Sequence, residues 1–241
     1  MRKRIRLAIA TGLLFPTAIL AQSSPDSILN TQARNLAVLY STAIGSNSSF
    51  YNGPEYFYDD ALLTANAFFE TVDFDRGSIV YDGIAYYDIP LAYDIIRDEV
   101  VTLSFNQDYR VKILPEKLSS FTIRGRQFIQ IPKATASHMP GYFELLHKGK
   151  ASLLVKRIKK IKEIITTGRN VEYQVNSENQ YYIQTSTGYH VVTDKAGLLS
   201  ILSDKRPELN AYFDNNNYSF RTDLEIALLN AVKYYDQIAA E

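Results

Sequence analysis

The sequence contains no cysteine and no tryptophan among its 241 residues. Without a thiol, the chain forms no disulfide, has no cysteine nucleophile and offers no residue on which a lipoprotein anchor is built. The folded state must therefore be stabilised by an apolar core alone.

The short signatures of catalysis and cofactor binding are also missing. The chain has no Gly-x-Ser-x-Gly elbow, no Gly-x-x-x-x-Gly-Lys phosphate loop and no His-Glu-x-x-His pair. Its histidines, His138, His147 and His190, are not spaced as metal ligands. Residues 73–77 (DFDRG) resemble the start of a calcium loop, but glycine stands at the fifth position instead of the sixth. We therefore predict no cofactor, no metal site and no catalytic residue.

Residues 1–21 have the composition of a secretory signal peptide. A basic start (MRKRIR) precedes an apolar run at 7–20, which is interrupted by glycine and proline and is shorter than the roughly 20 residues of a membrane span. Cleavage is expected after Ala21 or after Ser23. The sequence thus predicts a soluble protein exported to the periplasm or beyond, not lipid-anchored and without a transmembrane segment after signal cleavage.

The signal segment also hides the charge of the rest of the chain. The full sequence has 26 basic and 26 acidic residues, and four of the basic ones lie in the first six positions. Without those four, 22 basic residues face 26 acidic ones, a net charge of −4. Nucleic acid is an unsuitable partner for such a chain, because phosphate binding needs clustered Lys and Arg.

Residues 77–131 carry the pattern of an antiparallel meander. Apolar and β-branched runs alternate with the turn signals Asp82-Gly83, Asn106-Gln107-Asp108 and Gly125. Pro90 interrupts one run and predicts an edge, a bulge or a break. Further hairpins are predicted around 148–149 and 186–188. The fold class is therefore α+β, mainly an antiparallel sheet that is flat, curled or bent into a half-barrel.

Helices are predicted on both sides of the sheet. The spacing of apolar residues predicts an N-terminal helix over 26–45, and from residue 193 the apolar period changes to that of helices. Thr222-x-x-Glu225 has the form of a capping box before the last helix. We divide the chain into a signal peptide (1–21), an N-terminal helix with the sheet (22–192) and a helical segment packed on the sheet (193–241).

Two stretches between the hairpins are less regular. The basic run from Lys148 to Lys162 is compatible with the end of a strand or with a helix, and could face an acidic partner, anionic head groups or only solvent. Residues 166–180 are polar and are predicted to form a loop.

The candidate site lies in the irregular part of the meander, where aspartates and tyrosines alternate. Tyrosine rings stack on sugars while their hydroxyls hydrogen-bond, although tyrosine is also a common strand residue. Paired carboxylates can act as acid and base. The predicted ligand-binding residues are Tyr81, Asp82, Tyr86, Asp88, Tyr93 and Asp94.

Several short motifs are shared with one group of proteins. They are Leu39-Tyr40, residues 50–56 (FYNGPEY), 77–83 (GSIVYDG), 89–94 (IPLAYD), 116–121 (EKLSSF), 217–221 (NYSFR) and Tyr234-Tyr235-Asp236. Through these motifs the chain resembles a family of uncharacterised exported proteins of Gram-negative bacteria. The resemblance implies export and one structural unit of sheet and helices, and it carries no activity or site.

Two function hypotheses follow from the sequence. The first is a non-enzymatic binding or interaction module of the cell envelope, which binds a small apolar or sugar-like ligand or another envelope protein. The second is a carboxylate-dependent, glycosidase-like hydrolase that uses aspartates of the segment 82–98.

Overall fold

The computed structural model describes residue 32 and residues 35–39, 45–57, 67–131, 140–165, 171–216 and 218–239. Within these residues a ten-stranded antiparallel sheet is followed by three helices. The strands are β1 (Asp75–Tyr81), β2 (Ile84–Asp94), β3 (Glu99–Leu103), β4 (Arg110–Lys112), β5 (Leu118–Ile123), β6 (Arg126–Ile131), β7 (Gly141–His147), β8 (Ser152–Ile165), β9 (Val171–Thr185) and β10 (Gly188–Val192). The helices are α1 (Lys195–Ile201), α2 (Arg206–Asn216) and α3 (Leu224–Ala239).

The sheet is a meander with one change of order. Its strands lie in the order β10-β9-β8-β7-β6-β5-β1-β2-β3-β4. β5 pairs with β1 instead of β4, so β1 lies in the interior of the sheet. The sheet is open, and its outermost strands are β10 and β4. The predicted mainly antiparallel fold with helices is thus confirmed.

The sheet curls so strongly that distant strands meet. β2 and β7 lie four strand positions apart, about 19 Å in a flat sheet. Nevertheless the rings of Tyr93 on β2 and Tyr142 on β7 have their centres 6.0 Å apart. Asp98, in the β2–β3 turn, accepts hydrogen bonds from the Lys156 ammonium at 2.6 Å and the Tyr142 amide at 3.3 Å. We call this contact between the turn and β7–β8 the clasp.

The inner face of the curled sheet is filled by aromatic side chains. Phe121 and Phe128 stack with their ring centres 4.8 Å apart, and Tyr93 packs edge-on against both. Phe69 closes this cluster against Phe128 at 5.2 Å. All of these rings are buried. The concave face is therefore a packed core and not an open binding surface.

The three helices cover the other end of the inner face. Leu228, Ala231 and Val232 of α3 are completely buried, and they pack on Leu153 and Val155 of β8. The apolar spacing predicted for the C-terminal helix is thus confirmed.

A charged network separates the aromatic core from this second core. Glu144 is 3 % exposed. Its two carboxylate oxygens accept hydrogen bonds from Arg126 Nη1 and Arg157 Nε, each at 2.7 Å. Arg157 also binds Glu225 of α3 at 2.7 Å. Burial acts to lower the pKa of Arg157, but the hydrogen bonds and charges of Glu225 and Glu144 outweigh burial and raise that pKa.. The network links α3 to the sheet through the buried Glu144 and the largely buried Arg157.

The long β8–β9 hairpin extends beyond the rest of the sheet. β7 pairs with β8 only at 153–155, and β10 pairs with β9 only at 181–185. Among the described residues, the ladders of 156–165 and 171–180 join these two segments to each other only. We call this two-stranded ribbon the arm; its strands of ten residues have a length of about 33 Å.

Two sequence predictions concern residues of the arm. The prediction of a loop over 166–180 is wrong from residue 171 onward, because β9 begins there and pairs with β8 over fourteen registers. The basic run continues as a strand to Ile165 and not as a helix. Its cations do not form one patch: Lys156 and Arg157 are turned to carboxylates of the clasp and of the charged network.

Pro90 does not break β2, which runs continuously past it. The irregularity lies two residues earlier, where the register of β1 and β2 shifts. The predicted bulge therefore exists at Asp88 and not at Pro90.

Most of the N-terminal helix predicted over 26–45 lies outside the described residues. Residues 35–39 are helical, and Leu36 and Leu39 there are mostly exposed. The signal peptide lies outside the described residues. None of the helices in the described part of the chain has the length and apolar content needed to cross a bilayer.

Candidate functional site

A β-bulge on the outer face of the sheet forms a cleft of about 370 Å³. Consecutive residues Gly77 and Ser78 of β1 face Ile89 and Tyr87 of β2, so Asp88 is an extra residue without a partner in the ladder. Its φ of 60° lies in the left-handed region, which aspartate tolerates better than most residues. Bulges of this kind change the direction of a side chain and are frequent beside functional sites.

Glycine at position 77 is required by the close approach of β1 to β5. A Cβ there would lie 2.1 Å from the Thr122 carbonyl oxygen and 2.8 Å from Leu91 Cδ1. The backbone can therefore shift register at this position only because no side chain is present.

The floor of the cleft is a row of cross-strand neighbours. Ser78 lies between Thr122 on β5 and Tyr87 on β2. The three side chains belong to adjacent strands and share the face opposite the aromatic core, because Ile79 beside Ser78 is buried in that core. The row thus presents two hydroxyls next to a half-buried aromatic ring.

A cation and an anion stand at the rim. Arg76 donates from Nη1 to the Asp88 carbonyl oxygen at 2.8 Å and approaches its carboxylate oxygen at 3.5 Å. The side chains are 61 % and 76 % exposed, so this pair is weak and its polar atoms remain accessible to a ligand. The charges cancel within the cleft.

The structure places the predicted aspartates far from one another. Asp82 occupies the β1–β2 turn, Asp88 the bulge and Asp94 the end of β2, so that neighbours are about 20 Å apart along the strand. Asp82 pairs with Lys117 at 2.9 Å. Asp94 is completely buried and accepts hydrogen bonds from Tyr56 at 2.8 Å and from backbone amides. These three carboxylates do not form a catalytic pair.

The predicted tyrosines belong to the core. Tyr81, Tyr86 and Tyr93 are each at most 3 % exposed and face the inner side of the sheet. Burial, and then the carboxylate of Asp98, raise the pKa of Tyr93 well above its usual value. Of the six predicted site residues, only Asp88 lines the cleft.

Sequence reasoning missed the other residues of the cleft, although one signal was available. The turn Asp82-Gly83 fixes the register of its hairpin, and counting back from it places Ser78 opposite Tyr87. Thr122 gives no such signal, because β5 reaches β1 through a long-range pairing.

The histidines and acids form no metal centre within the described ranges, which contain no group of three suitable ligands. His147 binds Asp236 of α3 at 2.6 Å, and His190 contacts Thr187 at 2.9 Å. His138 lies outside the described residues.

The chain matches no family model, no curated protein and no solved structure in the three comparisons made. Its function is therefore inferred from the geometry of the cleft and of the surface.

Proposed function

We propose that the protein is a non-enzymatic binding module of the cell envelope, and that its ligand is a neutral sugar held in the bulge cleft. The bulge at Asp88 carries this proposal, because it places an exposed carboxylate beside Arg76 and Tyr87.

The donors and acceptors of the cleft suit a polyhydroxylated ligand. A guanidinium donates several hydrogen bonds and a carboxylate accepts several, while hydroxyls do both. The ring of Tyr87 can pack on the apolar face of a sugar. Because Arg76 and Asp88 cancel in charge, a neutral sugar fits better than an anionic or cationic one.

Size and carboxylate number support binding over hydrolysis. Small-molecule pockets have volumes of about 300–1,000 Å³, and this cleft lies at the lower end of that range. Glycoside hydrolysis uses two carboxyl groups about 5–9.5 Å apart. Among the described residues, Asp88 supplies the one carboxylate in the lining of the cleft.

The test is binding to a panel of immobilised neutral oligosaccharides, followed by titration of any sugar retained. Tyr87→Ala and Asp88→Asn should each weaken binding at least about tenfold, since each removes a direct contact. Tyr109→Ala and Asp108→Asn are the matched controls, because both residues lie exposed in the β3–β4 turn. If no sugar binds, or if the cleft variants bind like the controls, the proposal is wrong.

A further inference from the structure

Among the described residues, no strand borders the bulge on the side away from β1. β3 pairs with β2 from Leu91 to Asp94, beyond the bulge at Asp88. Thr102 faces Leu91 at the end of this ladder, and counting on from Thr102 places Phe105 level with Asp88. The β3–β4 turn is therefore the neighbour of the bulge on this open side.

Phe105 is an exposed ring on a buried support. It is 53 % exposed, and it packs edge-on against Tyr51 with the ring centres 6.1 Å apart. The Tyr51 ring lies 4.2 Å from the buried ring of Phe50, which in turn lies 4.9 Å from Tyr86 of β2. A continuous row of rings thus holds Phe105 against the strand that carries the bulge, while about half of Phe105 faces solvent.

Arg76 joins this row of rings to the cleft. It lines the cleft and donates to the Asp88 carbonyl oxygen at 2.8 Å. Burial raises the pKa of the Tyr51 hydroxyl, and the positive charge of Arg76 opposes this rise. A cation acts on a phenol in this way over a distance of a few ångströms. The rim of the cleft and the pair of Tyr51 and Phe105 are therefore close to each other.

The exposed ring suits a second sugar residue beside the one in the cleft. An aromatic face packs on the apolar face of a pyranose, and the Tyr51 hydroxyl and the Arg76 guanidinium can both hydrogen-bond to sugar hydroxyls. Adjacent strands lie about 4.8 Å apart, so the bulge and Phe105 are separated by about the length of one sugar residue. Two linked residues of one chain can therefore contact both places.

We propose that Phe105 and Tyr51 form a second subsite, so that the ligand is a neutral oligosaccharide with one residue in the bulge cleft and the next on the Phe105 ring. The second subsite rests on the proposed binding of sugar in the cleft. It makes Phe105 the residue that selects oligosaccharides over monosaccharides.

The probes are the monosaccharides and the linear trisaccharides of glucose, galactose, mannose and N-acetylglucosamine. Each is titrated into the full chain by isothermal titration calorimetry. For the sugar that binds, the trisaccharide should bind at least about tenfold more tightly than its monosaccharide, because only the trisaccharide reaches both subsites.

Variants separate the two subsites. Phe105→Ala should weaken trisaccharide binding about tenfold and leave monosaccharide binding unchanged, whereas Phe105→Tyr, which keeps the ring, should bind both sugars normally. Asp88→Asn should weaken binding of both, since it changes the cleft. Tyr109→Ala is the matched control, because this ring of the same turn is 50 % exposed and, among the described residues, makes no ring contact with Tyr51. Circular dichroism checks that each variant folds.

Three results would overturn the second subsite while sugar binding in the cleft stands, provided that Asp88→Asn still weakens binding. One is equal affinity for the monosaccharide and the trisaccharide. Another is a trisaccharide affinity that Phe105→Ala leaves unchanged, and the third is an equal loss for both sugars in Phe105→Ala. No binding of any of these sugars at about 1 mM, or no effect of Asp88→Asn, would instead overturn sugar binding in the cleft and the second subsite with it.

Discussion

The clasp gives the sharpest prediction about stability, because it holds the curl of the sheet through one buried ion pair. Lys156 is 7 % exposed and binds Asp98 at 2.6 Å, and burial lowers the pKa of this lysine. The Tyr93 hydroxyl donates to the same carboxylate at 2.5 Å. Asp98→Asn keeps the shape of the side chain but leaves the Lys156 cation buried beside a neutral group.

The magnitude follows from the burial of the two partners. Removing one partner of a buried pair costs about 3–5 kcal/mol, and we reduce this to about 2–3 kcal/mol because the Asp98 side chain is 27 % exposed. Lys156→Met removes the charge and packs on Phe143, so its cost should be about 1–2 kcal/mol, since Asp98 keeps its bonds to Tyr93 and to the backbone. The double variant should cost little more than Lys156→Met alone. The coupling energy is then about 2 kcal/mol.

The unmodified protein, the two single variants and the double variant form a double-mutant cycle. Urea unfolding of these four proteins, followed by far-ultraviolet circular dichroism and tyrosine fluorescence, measures its coupling energy. The control is Glu178→Gln, which breaks the Lys160–Glu178 pair of the same 2.6 Å length on the exposed arm and should leave stability unchanged. If the effects of Asp98→Asn and Lys156→Met simply add, then the pair does not carry the curl, and the aromatic core alone must do so.

Three more predictions concern other parts of the structure. Gly77→Ala should destabilise the fold by about 2–3 kcal/mol in urea, because its methyl group would meet the Thr122 carbonyl; unchanged stability would contradict the close approach of β1 and β5. Burial and the Asp204 hydrogen bond raise the pKa of Tyr235 to about 12, so stability present below pH 10 should fall between about pH 10 and 12 as the unfolded chain ionises first. Tyr235→Phe should make this alkaline fall in stability smaller, measured as the thermal midpoint against pH. An identical pH profile for the two proteins would contradict the raised pKa of Tyr235. Arg157→Met should cost about 2–3 kcal/mol in urea by leaving the buried Glu144 and the partly exposed Glu225 without their shared cation, and a neutral result would show that the charged network is dispensable.

Local signals in the sequence predicted the hairpins well. Asp82-Gly83 and Gly125 occupy turns with positive φ between strands that were expected on either side. Turn chemistry acts over a few residues and is therefore readable from sequence. The order of the sheet is not, because the pairing of β5 with β1 depends on contacts between residues about 40 positions apart.

The failure at 166–180 has a different cause. Asn176, Ser177 and Glu178 are exposed although they lie in a strand, so no buried face imposes an alternating pattern on the arm. β9 is a strand because β8 provides a partner for each of its residues up to Val171. Sequence patterns detect burial, and residues 176–179 of β9 are all exposed.

Glu225 shows how a tertiary contact can override a local motif. The spacing Thr222-x-x-Glu225 predicted a capping box, yet α3 begins at Leu224 and the Glu225 carboxylate binds Arg157 and the Tyr181 hydroxyl. Burial tends to raise the pKa of Glu225, but the Arg157 hydrogen bond and charge lower it overall. A guanidinium that donates to both carboxylate oxygens in a partly buried site is a stronger partner than a backbone amide at an exposed helix start.

The filled inner face determines where binding can occur. The sequence favoured a ligand among the tyrosines of the meander, but Tyr93 and its neighbours already satisfy their packing with one another. Opening that face would expose the rings and break the clasp, so a ligand there would compete with folding itself. The bulge and the β3–β4 turn cost the fold much less, since Asp88 and Phe105 are exposed. Both are places where one strand departs from regular pairing with a neighbour, and such departures leave side chains available to a partner.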